Sequence, residues 1–308
     1  MALEHCGYIA LPRHFKDGGF DHAAVHCGIG RLYVAHTAND AVDVIDCRTN
    51  HYLQSIPDLP GVAGVLVSEE RDLVFTANRA ENTVGIFSPT LEGKLVKVAV
   101  GTRPNGLAYD PVCRLLLAAN VGDPAVPGSF IVSIVDTEAK KLIADVAVPG
   151  RTRWAVFDAA AGVFYVNIAD PPQIAVIDGR SPGHLAGSFS IPATGPHGLD
   201  LETGTGRLFC ACDGKKLVSM DSRSGNMLSK VEIGGAPDVV FFNAELKHLY
   251  VAIGDPGVVE VFDTETMAPL DIVQTERGAH TIGFDRTRNM VYAFLPETHR
   301  AAIYRDTC

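Results

Sequence analysis

The sequence predicts an all-β fold, a seven-bladed β-propeller of four-stranded antiparallel blades. Three observations predict it. A small apolar frame recurs seven times, the units carry strand patterning with turn signals, and a surplus strand-like run sits at the N-terminus. The frame reads "RPNGLAYD" (103–110), "RTRWAVFD" (151–158), "GPHGLD" (195–200), "GAPDVVFF" (235–242) and "GAHTIGFD" (278–285). One position in it varies: His22, Ala63, Asn105, Trp154, His197, Asp238 and His280. Successive gaps are 41, 42, 49, 43, 41 and 42 residues, the spacing of propeller blades.

Within each unit, β-branched and aromatic runs alternate with Gly, Asn, Asp and Pro, as short strands and tight turns require. The second line of each unit reads "RLYVAHTANDAVDVID" (31–46), "DLVFTANRAENTVGIFS" (72–88), "GVFYVNIADPPQIAVID" (162–178), "RLFCACDGKKLVSMD" (207–221) and "HLYVAIGDPGVVEVFD" (248–263). Unit three is longer, "RLLLAANVGDPAVPGSFIVSIVD" (114–136). The closing Asp of each tail is expected to accept turn amides, with Ser88 in its place in unit two. The seventh unit ends one strand short at "AAIYRDTC", and "CGYIALP" (6–12) resembles the outer-strand runs at 53–60 and 187–193. Residues 6–12 are therefore expected to complete blade seven and close the ring, leaving no open edge. Residues 1–308 are read as one propeller domain.

The units resemble the YVTN-type seven-bladed propeller repeat over essentially the whole chain. That resemblance implies the fold and leaves function to be argued from the site.

Composition narrows the classes of partner. Hydrophobic residues make up 47 % and charged residues 20 %, which supports an ample core. The net charge of −10 disfavours nucleic acid and anionic membrane as partners. No apolar run approaches the roughly 18–20 residues of a membrane span. No secretory leader is visible, and the seven cysteines form no disulfide pattern, so a cytoplasmic location is expected. Cys210 and Cys212 share a strand face and read as small buried hydrophobes.

The variable position precedes the innermost strand of each blade, so its side chains should ring one mouth of the channel. His197, Asp238, His280 and His22 belong to consecutive blades and should form one arc. A second ring is expected from the ends of the next strands: His36, Asn78, Asn120, Asn167 and Cys212, with Asp213 adjacent. Arg79, Arg103 and Arg153 should overhang the rim. Imidazole and carboxylate are the usual ligands of divalent metals. A divalent metal of unspecified identity is accordingly expected on His22, His197, Asp238, His280 and His36. A small-molecule substrate is expected against Asn105, Trp154, Arg103, Arg153, Asn78, Asn120 and Asn167. Trp154 serves either as an apolar wall or as a plug.

"GPHG" (195–198) and "GAHT" (278–281) resemble frames of the streptogramin B lyases, seven-bladed propellers that open a cyclic ester by elimination. The resemblance implies that His197 and His280 face substrate, one as base and the other as orienter or ligand. The expected activity is a metal-assisted lyase or hydrolase acting on a small lactone, ester or similar oxygenated substrate. The competing reading is a non-catalytic propeller that uses its rim to bind a ligand or protein.

Overall fold

The computed structural model describes residues 2–90 and 94–307. Twenty-eight strands form seven four-stranded antiparallel sheets arranged as a propeller ring. The innermost strands of blades one to seven are Ala23–His26, Val62–Ser68, Pro104–Asp110, Thr152–Asp158, Pro196–Glu202, Pro237–Asn243 and Ile282–Asp285. Each is followed outward by the next two strands of its unit. Blade seven takes its fourth strand from the N-terminus. Leu3–Ala10 pairs with Arg300–Asp306, as ring closure requires. This strand begins earlier than residue 6 and ends before residues 11–12, because Pro12 has no amide N–H and restrains the residue before it.

The core is divided in the same way as the ring. Seven buried apolar clusters occur among the described residues, each drawing on two neighbouring blades. Blades four and five, for example, share Tyr165, Ile174, Leu199, Leu208, Cys210 and Val218. Cys210 and Cys212 are fully buried there, with their sulfurs 3.8 Å apart, and act as small hydrophobes. In blades one, three, four, five and six the Asp at the end of the third strand fastens the following turn. Asp46 accepts amides from Arg48 and Thr49, and Asp136 accepts them from Glu138 and Ala139. Among the described residues, no helix is long and apolar enough to cross a membrane.

Candidate functional site at the channel mouth

In blades two to six the variable position sits at a break in strand register, and in blades one and seven, at His22 and His280, it precedes the innermost strand. Pro196 pairs with Cys212 and Gly198 with Ala211, so His197 is the extra residue of a bulge. Equivalent bulges leave out Ala63, Asn105, Arg153–Trp154 and Asp238–Val239. A bulge frees its extra residue from the alternation of the ladder and re-aims the side chain. Two glycines make room for this in blade five. At Gly195, with φ +65°, a Cβ would lie 2.8 Å from the Asp213 side chain, the acceptor that His197 needs. At Gly198 a Cβ would come within 2.4 Å of the Asp238 carbonyl oxygen, so only glycine lets blade six approach.

The arc forms as a chain of charge-paired contacts. His197 Nδ1 lies 2.7 Å from Asp213 Oδ1, and its Nε2 lies 3.2 Å from Asp238 Oδ1. The other oxygen of Asp238 meets His280 Nδ1 at 2.6 Å. Asp238 thus bridges two imidazoles. Arg153 joins at 3.0 Å from His197 Nε2 and 3.4 Å from Asp213. Across the ring, Arg79 donates to Asn105 at 2.7 Å and meets Asp21 at 3.3 Å.

Burial opposes charge at His197, but Asp238 and Asp213 outweigh it and raise its pKa from 6.5 to about 9. The charged form of the ring is thereby favoured: Nδ1 is hydrogen-bonded to Asp213, while Nε2 sits between Asp238 Oδ1 at 3.2 Å and the Arg153 guanidinium at 3.0 Å. Burial also works against charge at His280, and there too the Asp238 carboxylate prevails and raises the pKa. Burial would raise the pKa of Asp238, yet the two imidazoles hold it well below the ordinary carboxylate range. His280 Nε2 has no hydrogen-bond partner among the described residues, and that side chain is 33 % exposed against 16 % for His197. The free nitrogen of the arc therefore belongs to His280.

Trp154 plugs the channel. Its ring lies 3.9 Å from that of His22 in blade one and meets Phe241 of blade six edge-on at 6.4 Å. Burial lowers the pKa of His22 and keeps its ring neutral beneath this cover.

The second expected ring does not line the channel. His36, Asn78, Asn120 and Asn167 are fully buried. His36 Nδ1 is held by Asp43 at 2.7 Å, and its ring packs on Phe20 and His14. Asn78 donates to Thr83, Asn120 to Ile131 and Ser133, and Asn167 to the carbonyls of His197 and Gly198. Asn167 thus supports the bulge from behind. Of the expected substrate contacts, the rim retains Asn105, Trp154, Arg153 and the exposed Arg103. Sequence reasoning missed Asp21 and Arg151, which flank the variable position or its frame. Partial burial lowers the pKa of Arg151, as do the nearby charges of Arg153, Arg103 and Arg79.

The donor set does not fit the expected metal as it stands. Both nitrogens of His197 are already engaged, Nδ1 by Asp213 and Nε2 by Arg153 and Asp238, so neither is turned toward a shared ligand position. His22 turns Nε2 toward Asp21 at 3.4 Å, and His36 lies in another part of blade one. Among the described residues, no group of three or more His, Cys, Asp or Glu side chains is arranged to hold a metal ion.

No protein-family model matches the sequence, and no curated protein matches it. Solved structures share the fold. A chain of Kuenenia stuttgartiensis hydrazine synthase superposes with a TM-score of 0.82 at 12 % identity, covering 96 % of this chain and 97 % of that one. A chain from a crystal structure of the mitotic checkpoint complex gives 0.82 at 10 % identity, covering 98 % and 91 %. At such identities the likeness concerns architecture only.

Proposed function

We propose that the protein is a lyase or hydrolase that opens a small lactone, ester or similar oxygenated substrate at the arginine-lined channel mouth. One observation carries the reading: Asp238 bridges His197 and His280 and leaves His280 Nε2 facing outward as a proton-transfer group. Asp238 orients the His280 ring and fixes its tautomer, as the acidic partner does in other His–carboxylate pairs. His197 is the orienter, locked by Asp213 and Asp238. Arg153, Arg103 and Arg151 supply positive charge for an oxyanion or carboxylate that forms as the ester bond breaks. The two histidine frames support the same reading by resemblance. This arrangement needs no metal, because the proton acceptor is a side chain. The six described cysteines are all free, which supports a reducing compartment.

The test is a panel of small lactones and aryl esters with wild-type protein and His280→Gln, each with and without chelator. The expected result is turnover that falls about 10²–10⁴-fold in His280→Gln, the usual size of a general acid–base contribution. Chelator should leave the wild-type rate unchanged, whereas its loss on chelation would restore the metal-assisted form of the proposal. Turnover undiminished in the variant would overturn the role of His280. Folded protein with no turnover on any substrate would favour the rim as a non-catalytic binding surface.

A further inference from the structure

The channel continues beyond Trp154 as a separate chamber, one the rim chemistry does not use. A cavity of about 510 Å³ begins beneath the Trp154–His22 pair, walled by Val65, Val67, Leu107, Val156, Leu201 and Phe241. A second lobe of about 550 Å³ shares Val67, Leu201, Phe241 and, in the same wall, Asp200. The combined space is on the scale of a small-ligand pocket, and its lining joins Val, Leu and Phe side chains to charged ones, Glu69, Glu70, Glu202, Lys247 and Arg286 beside Asp200.

Asp200 is the polar group that stands out. Its two oxygens accept backbone amides, from Leu201 at 2.8 Å and from Phe242 at 2.7 Å. Among the described residues, no side-chain cation pairs with it. The two cations of the walls are already engaged, Arg286 with Glu69 at 2.7 Å and Lys247 with Glu202 at 3.0 Å. Arg286 acts on Asp200 only through space. Glu70, exposed at the lining of the first lobe, adds a further negative charge. A carboxylate on an apolar wall, without a counter-charge of its own, matches one kind of ligand: a cation with an apolar body.

We propose that this chamber is a binding site for a small organic amine, its ammonium on Asp200 and its apolar body against Phe241, Val67 and Leu107. Burial raises the Asp200 pKa to about 6, against the opposing amide hydrogen bonds. The free site therefore gains its charge above that pH, and an ammonium ligand stabilises the charged form. The groups bearing on Asp200 are Arg286, Glu69, Glu70, Glu202, Lys247 and the neutral His22. Asp200→Asn separates the contribution of Asp200 from theirs, because it removes this one carboxylate and leaves the other groups in place.

Trp154 is the only tryptophan and forms one end of the chamber, so its emission reports occupancy. The experiment is a fluorescence titration with 2-phenylethylamine and its neutral analogue 2-phenylethanol at pH 8 and pH 5. The amine should bind at least tenfold more tightly than the alcohol at pH 8, and this preference should shrink at pH 5. Asp200→Asn should abolish the preference while leaving alcohol binding unchanged. Val67→Phe, which fills the chamber without touching the carboxylate, should weaken both ligands and keeps the test open if Asp200→Asn misfolds. Equal affinity for amine and alcohol at pH 8, or a preference that survives in folded Asp200→Asn, would overturn the proposal. So would saturable binding that Val67→Phe leaves intact. None of these readouts depends on turnover at the rim, so the two proposals stand or fall separately.

Discussion

Two histidine–aspartate pairs make the comparison that explains this molecule. His36–Asp43 and His280–Asp238 have nearly the same hydrogen bond, 2.7 Å and 2.6 Å from Nδ1 to a carboxylate oxygen. Their settings differ. The His36 pair lies inside blade one at 0 % exposure for both side chains, closed in by Phe20 and His14. The His280 pair stands at the channel mouth, with a free nitrogen facing outward. The difference comes from the backbone. The second strand runs through regular pairing and ends buried, whereas His280 lies before the innermost strand Ile282–Asp285, outside the ladder, where a side chain is free to reach the channel mouth. The same chemistry is cement in one place and a candidate reagent in the other.

The comparison predicts opposite responses to deletion, and the buried pair should show the larger one. His36→Ala leaves Asp43 uncompensated inside the blade and should cost about 3–5 kcal/mol of stability, read by denaturant unfolding. His280→Gln, by contrast, should cost about 1 kcal/mol or less, because His280 is a third exposed and Asp238 keeps its contact with His197. Similar losses in the two variants would erase the distinction between cement and reagent.

A smaller effect should appear with pH. The pKa of His197 is raised in the folded state, so its pairing contributes fully below the unfolded value of 6.5 and is lost as pH rises through about 9. The melting-temperature advantage of wild type over His197→Gln should therefore shrink between pH 7 and pH 10. An advantage that grows over that range would show that the ring is not held protonated by Asp213 and Asp238.

Much of this was legible in the sequence. The repeat spacing carries the fold, because each blade must present the same strands to the same neighbours. The contact chain His197–Asp238–His280 was legible because the three residues occupy one repeat position, at a bulge in blades five and six and just before the innermost strand in blade seven. Repeat alignment failed at His36, Asn78, Asn120 and Asn167, since it places a residue along a strand but not on one face of it. Alternation then buried all four between blades. Asp21 escaped notice because it lies one residue before the aligned position. Asp200 escaped because a lone acidic residue within a strand reads as solvated until the channel wall around it is seen.

The central claim is that Asp238 couples His197 to His280 and tunes the exposed ring. The most direct test is an NMR titration of the His280 imidazole in wild type and Asp238→Asn. The wild-type midpoint should lie above 6.5 and fall in the variant, because the carboxylate that outweighs burial has been removed. A His280 midpoint that is the same in both proteins would contradict the coupling and, with it, the proposed role of His280.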